Sequence, residues 1–385
     1  MRQSIITWIL RFFYLENRTT CRRKRLFLIP LLLSAALFLS SCGQKKEPVT
    51  RTGFYFDTVV SITLYGDSEV LSPLFDEIFA LCARYEAMLS RTVKDSDIAM
   101  VNEAAGTPVA VQSETLSLLQ TACSYAKLTD GLIDPTVTPL LLLWGFGDDP
   151  YSGADGVTES HHFSGSDLYQ NTDRSPNTET HSKSIPPDAD ALAEACSHVD
   201  YHSIVIDEQA STVMLTDPYA AIDLGFIAKG YIADRIHDYL ISQNVTSAII
   251  NLGGNVLCIG EKPDHSPYRV AVKYPFGGAE DVIATLPIRD QSVVTSGVYE
   301  RFIEMNGMRY HHILDLQTGY PVENGLLSVT IVTDSSTDAD ALSTACFVLG
   351  PSDGMALIES LAHTEALFIT EDYELHYSSG LQENR

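Results

Sequence analysis

The chain has 385 residues, 45% of them hydrophobic and 19% charged, with a formal net charge of −25. That length and composition suit a folded protein of one large or two modest domains and exclude a disordered one. The acidic balance denies nucleic acid the basic footprint it needs, and acidity by itself names no substrate.

The amino terminus reads as an address. Arg22-Arg23-Lys24-Arg25 precedes an apolar run over residues 26–39, of signal-peptide length and too short for a comfortable membrane span. The run ends in Leu39-Ser40-Ser41-Cys42-Gly43, which resembles the bacterial lipobox. That resemblance implies cleavage before Cys42, a diacylglyceryl group on its thiol, and attachment to the extracytoplasmic face of the cell membrane. Residues 1–41 are then a lipoprotein signal peptide and 42–52 a lipidated polar tether, with the folded domain over 53–380. An ordinary signal peptide or an uncleaved anchor is the alternative left open. Cys82, Cys123, Cys196, Cys258 and Cys346 stand singly in apolar stretches without zinc-site spacing, and read as small buried hydrophobes.

Residues 58–65 are β-branched and predict a strand ending at Gly66-Asp67. Apolar spacing predicts helices over 74–89 and 115–128, the second ending before Asp130-Gly131. Ile133-Asp134-Pro135-Thr136-Val137-Thr138-Pro139-Leu140 follows, then an apolar stretch around Trp144. Residues 148–190 are rich in Ser, Asp, Thr, Gly, Pro and His, and read as a low-complexity surface insertion. Its His161, His162 and His181 read as a solvated loop rather than a chelate.

A strand pair is predicted at 203–206 and 212–215, a helix at 227–243 and a strand at 247–250. Further strands are predicted at 268–272, 282–287, 292–295 and 328–333, with a helix at 339–349. Asn306-Gly307 between 301–305 and 308–313 is a strong hairpin signal. Strands joined mostly by hairpins, with helices inserted, predict an α+β fold of mostly antiparallel sheets with flanking helices.

Four constellations could carry chemistry. Asp340 and Thr344 share a helix face, an oxygen pair suited to a divalent cation, with helix capping by Asp338 and a solvent-facing acid as the plainer reading. In Asp223-Leu224-Gly225-Phe226-Ile227-Ala228-Lys229-Gly230-Tyr231, a lysine near a helix start could meet a phosphate, or the segment is an ordinary turn. Asn251-Leu252-Gly253-Gly254-Asn255 is a weak dinucleotide signal and equally a tight turn between strands. Thr295-Ser296-Gly297-Val298-Tyr299-Glu300-Arg301 precedes Tyr310-His311-His312-Ile313-Leu314-Asp315. There the two histidines point to opposite faces of a strand, and either one is a general base in a cleft or both are structural.

Taken in chain order, with Asp57-Thr58-Val59-Val60-Ser61 and Asp134-Pro135-Thr136-Val137-Thr138-Pro139-Leu140 ahead of them, these blocks resemble the ApbE family of FAD:protein FMN transferases. The match runs from about Phe54 to about Ile358, interrupted by the insertion. The resemblance implies an α+β fold with a central FAD cleft, FAD as substrate and Mg2+ as cofactor. It implies transfer of FMN to a Thr or Ser hydroxyl of an exported protein bearing an Asp-x-x-Ser/Thr-Gly-Ala-Ser/Thr motif, with release of AMP.

By the same resemblance Asp340, Thr344 and the backbone carbonyl of Phe226 are metal ligands, and His312 is the base. Asp223 and Lys229 match flavin-site positions. So do Phe56, Thr92, Leu132, Ile133, Asp134 and Ser328, while Trp144 and Phe146 offer flavin walls. Phe226 replaces a small residue, Asp57 a common Gly, Leu316 a common Pro, and Phe56 and Thr92 commoner Met and aromatic residues. Two other readings use the same residues: a metal-dependent FAD pyrophosphatase giving FMN and AMP, and a non-catalytic FAD-binding lipoprotein. The presence of Asp340, Thr344 and His312 speaks against the last.

Overall fold

The computed structural model describes residues 48–104, 106–146, 186–278 and 280–383. The expected signal peptide, Cys42 and the insertion up to 185 lie outside them.

β1 (Pro48–Tyr55) and β2 (Thr58–Tyr65) form an antiparallel hairpin. Residues 48–52, expected in the tether, thus belong to an edge strand, where Thr50 and Thr63 join hydroxyls at 2.8 Å. The turn residues Phe56 and Asp57 both have φ 56°, the left-handed region a two-residue hairpin turn demands. Glycine reaches it freely, which is the physical sense of the Gly common at position 57, whereas Phe56 and Asp57 hold it under strain. α1 (Ser68–Leu89) starts earlier than its apolar spacing predicts, because Asp67 caps it through the Glu69 N–H and the helix runs through Pro73. Short α2 (Asp97–Glu103), which the apolar pattern did not predict, is capped by Ser96.

β3 (Val109–Ala110), β4 (Ile204–Asp207) and β5 (Thr212–Leu215) make a small antiparallel sheet in the order β3-β5-β4. Between β3 and β4 lie α3 (Ser113–Leu128), α4 (Thr138–Trp144) and α5 (Ala189–Ser197). Asp188 caps α5, so the last few residues assigned to the insertion already enter regular structure.

α6 (Ala228–Ser242) leads to the hairpin β6 (Ser247–Leu252) and β7 (Asn255–Gly260). The Gly253-Gly254 turn settles the Gly-rich segment as a strand connection: both φ values are positive, and a Cβ on Gly253 would lie 2.3 Å from the Thr58 hydroxyl. β8 (Tyr268–Lys273) pairs with β9 (Val282–Ile288). β10 (Ser292–Gly297) precedes the hairpin β11 (Phe302–Met305) and β12 (Met308–His311), which turns at Asn306-Gly307 as expected. β13 (Leu326–Thr333), α7 (Ser336–Ser360), β14 (Thr364–Thr370), β15 (Leu375–Tyr377) and α8 (Ser379–Glu383) complete the chain.

The central sheet is antiparallel throughout, in the order β1-β2-β6-β7-β10-β13-β14-β15. β13 is buried at every residue because both its faces are covered. Val329 and Ile331 join Leu342 and Phe347 of α7, whereas Leu327 and Val332 join Tyr268 and Leu286 of the β8–β9 hairpin. The α+β expectation with flanking helices therefore holds. What matters for the site is that α6 and α7 cross beside β7 and β10.

Candidate active site

The start of α7 is held from two sides. Ser335 caps it through the Asp338 N–H at 3.2 Å, and Asp234 of α6 accepts the N–H groups of Ser336 (2.8 Å) and Thr337 (2.9 Å). Asp338 is not the cap; one of its oxygens accepts the Tyr125 hydroxyl at 2.6 Å. One turn apart on the helix so fixed stand Asp340 and Thr344.

Asp340 is 5% exposed, and its Oδ2 accepts the Gly230 N–H at 2.8 Å. Burial pushes its carboxyl up, while Lys229 and the Gly230 N–H favour the charged form. The Asn255 amide lies beside it without closing a hydrogen bond of good geometry. Among the described residues no lysine or arginine pairs with Asp340. A buried carboxylate that has Lys229 near it but makes no ion pair fits a cation site. The Thr344 hydroxyl is 3.1 Å from Ser296 Oγ of β10, which also meets Ser343 Oγ at 2.7 Å. Phe226 is half-buried in the turn entering α6. Among the described residues no cluster of three His, Cys, Asp or Glu side chains could hold a metal. A donor set of carboxylate, hydroxyl and carbonyl is left, the chemistry of a hard divalent ion such as Mg2+.

The two histidines separate as the strand alternation predicts. His311 is buried: Nε2–H donates to the Val322 carbonyl at 3.1 Å, Nδ1 has no partner among the described residues, and burial drives its pKa down to about 4. His312 keeps solvent access beside Phe146, ring centroids 6.4 Å apart. Its Nδ1–H donates to the Arg301 carbonyl at 3.1 Å, which leaves the Nε2 lone pair for a substrate proton. The dense surroundings, with Arg301, His311 and Lys229 adding positive charge, push its pKa down to about 3. Glu300 lies close by. It is reachable by solvent, yet its crowded position raises the carboxyl to about 7, with Asp340 adding to the rise against Lys229, Arg301 and Lys273. Lys229, which donates to the Gly225 carbonyl at 3.3 Å, lies within electrostatic range of Asp340, Glu300 and His312 alike.

A second wall forms around Asp223. Its Oδ2 accepts from Arg91 Nε at 2.7 Å, its Oδ1 accepts the Gly225 N–H at 2.6 Å, and its own N–H donates to the Pro135 carbonyl at 2.7 Å. Thr92, exposed next to Arg91, and the 132–135 stretch therefore flank Asp223. Within that stretch the Asp134 carboxylate is not open to a ligand: Thr136 and the Tyr201 N–H occupy both its oxygens, and Ile133 is buried. Only half-buried Leu132 and the backbone face outward there.

Two expected flavin contacts, Ser328 and Trp144, are buried, and Phe56 keeps partial exposure. Ser328 is fully buried on β13 opposite Gly297, with its hydroxyl beside that of Tyr299 and no well-formed bond between them, so it backs the cleft rather than lining it. Trp144 is fully buried too. Its indole N–H donates to the Gly319 carbonyl at 2.7 Å, so it anchors the segment after His312 and Phe146 alone is available as a wall. Phe56 stands at the β1–β2 turn, its N–H on Glu86 Oε1 at 2.6 Å.

The sequence reading gave no role to Arg91, Ser296, Glu300, Asp234 or Gly230. Ser296 and Glu300 lie inside a block it singled out. Gly230 lies inside the Asp223–Tyr231 block, but its tie to Asp340, like those of Arg91 and Asp234, reaches a partner more than a hundred residues away that no local pattern marks.

A model of the ApbE family matches residues 56–368. A FAD:protein FMN transferase of Klebsiella pneumoniae (strain 342) is 35% identical over 321 residues, covering 83% of this chain and 88% of that protein. One of Treponema pallidum (strain Nichols) is 32% identical over 372 residues, covering 92% and 93%. The crystal structure of the ApbE protein of Thermotoga maritima is similar with a TM-score of 0.73 at 32% identity, covering 88% of this chain and 99% of that one. Flavin transferase ApbE of Vibrio cholerae reaches 0.71 at 27% identity with the same coverage.

Proposed function

The chain belongs to the ApbE family and is a transferase that moves FMN from FAD to a protein, and we propose that it does so onto a Ser or Thr hydroxyl with a Mg2+ at Asp340 and Thr344. One observation carries the mechanism: His312 has its Nδ1–H fixed on the Arg301 carbonyl and so offers Nε2 on the side where Lys229 acts on it.

The acceptor hydroxyl oxygen attacks the FMN-side phosphorus of the FAD pyrophosphate. Its proton passes to His312 Nε2, a phosphoester bond forms, and the bond from that phosphorus to the AMP oxygen breaks. His312 is unprotonated in the free enzyme, so it is ready to accept. The phosphates of bound FAD, facing Lys229 and His312, raise the histidine's proton affinity as the reaction proceeds. Asp340, Thr344 and the Phe226 carbonyl would hold the Mg2+, which when bound neutralises phosphate charge and improves AMP as leaving group. Asp223 and the 132–135 backbone orient the flavin end, and Arg91 orients Asp223. Changing His312 to Asn should leave FAD binding intact and slow transfer by roughly 10²–10⁴-fold. An unchanged rate would remove the base.

The lipobox resemblance at Cys42 supports a lipid anchor on the extracytoplasmic face, where the acceptor is an exported protein carrying the hydroxyl-bearing motif.

A further inference from the structure

We propose that the aromatic surface made by the β8–β9 loop, the β11–β12 hairpin and the β14–β15 turn docks the body of the acceptor protein, beside its reactive hydroxyl. The proposal rests on the transferase reading and adds where the protein substrate sits.

The surface is assembled from three chain segments. Phe276, 39% exposed, stands 6.0 Å in ring centroids from both Tyr299 and Phe302. The Arg309 guanidinium stacks over Phe276 at 4.5 Å and Phe302 at 5.3 Å. Tyr274 and Tyr373 stack at 5.0 Å, both partly exposed, and Met308 at the hairpin turn is 59% exposed. None of Tyr274, Phe276, Phe302, Met308, Arg309 and Tyr373 belongs to a hydrophobic core cluster. Exposed aromatic, Met and Arg side chains gathered in one place are the composition of protein-binding hot spots.

Position selects the occupant. Phe302 pairs with His311 across the hairpin, and the Arg301 carbonyl accepts both the N–H and the Nδ1–H of His312. The surface and the base therefore share one backbone frame, and a protein whose hydroxyl reaches His312 must cover its neighbourhood. Glu304 pairs with Arg309 at 3.6 Å, but both are well exposed, so the pair is weak and yields readily to a partner.

The test uses the purified full chain with saturating FAD and Mg2+. The probe is a folded protein carrying an Asp-x-x-Thr-Gly-Ala-Thr segment, and FMN transfer is followed by intact mass. Arg309→Glu and Met308→Asp should each raise the half-saturating probe concentration by about tenfold or more. FAD affinity and the rate at saturating probe should stay near wild type. Unchanged half-saturation in both variants overturns the proposal. Loss of FAD affinity in both also overturns it, by assigning the hairpin to the cleft. A change in sedimentation instead of probe affinity assigns the face to a second copy of the chain and overturns it as well. If wild type splits FAD but adds nothing to the probe, the transferase reading fails and the docking surface falls with it.

Discussion

Gly230 and Asp340 touch across the seam between α6 and α7. The Gly230 N–H donates to Asp340 Oδ2 at 2.8 Å, and a Cβ on Gly230 would lie 2.8 Å from the Asp340 Cβ and 2.1 Å from the Ser336 carbonyl oxygen. The helix pair can therefore close, and present the carboxylate beside Lys229, only while position 230 has no side chain. Changing Gly230 to Ala should destabilise the fold by about 1–3 kcal/mol through overpacking, and weaken Mg2+ binding by moving Asp340. Urea denaturation and a Mg2+ titration read the two effects. Wild-type values for both would mean that the seam has slack the geometry does not show.

Asp340 is tied into the structure as well as being a proposed ligand, so its substitutions are not equivalent. Changing it to Ala leaves the buried Gly230 N–H without an acceptor, a loss of about 1–3 kcal/mol. Changing it to Asn keeps an acceptor and removes the charge. The Asn variant should fold like wild type and lose both Mg2+ binding and transfer, and near-normal transfer at saturating Mg2+ would sink the ligand assignment.

Much of this was legible in the sequence. The hairpin at Asn306-Gly307, the antiparallel character, the one-turn spacing of Asp340 and Thr344, and the opposite facing of His311 and His312 follow from local periodicity and turn chemistry. Which histidine faces the cleft does not. That depends on Phe347 packing on His311 and Phe146 on His312, contacts from distant segments. Asp134 and Trp144 show the same limit. Their residue types suit a flavin site, but long-range hydrogen bonds to the Tyr201 N–H and the Gly319 carbonyl employ them in holding loops. The edge strand over residues 48–52 escaped notice because its pattern is polar and exposed on one side.

His311 gives the fold an acid sensitivity whose sign is fixed. Its pKa falls from an ordinary 6.5 to about 4 on burial, so the unfolded chain binds the proton more readily between those values. Stability from this group is full above pH 6.5 and is lost as pH drops towards 4. Between pH 7.5 and 5 the loss should be on the order of 1–2 kcal/mol. Changing His311 to Gln should flatten that slope in denaturant titrations, and an identical slope in the variant would place the acid sensitivity elsewhere.

Arg91 reaches Asp223 across a sequence gap of 132 residues and bonds it at 2.7 Å, with both side chains largely shielded. Changing Arg91 to Ala should weaken FAD binding by about tenfold, as expected for losing a hydrogen bond between charged groups, with the rate at saturating FAD little changed. Lys should recover part of the affinity but not the fork geometry. Fluorescence titration of FAD measures this directly, and an unaltered dissociation constant in the Ala variant would show that Asp223 needs no such support.

The central claim is metal-dependent transfer of FMN from FAD to a protein hydroxyl, and intact mass spectrometry of the acceptor tests it most directly. The full chain is incubated with FAD, Mg2+ and an exported protein bearing the acceptor motif, with and without a chelator. The expected result is a mass gain of one FMN that disappears on chelation and in the Asp340→Asn variant. FAD split to FMN and AMP with no gain on the acceptor, or a gain indifferent to chelation, would contradict it.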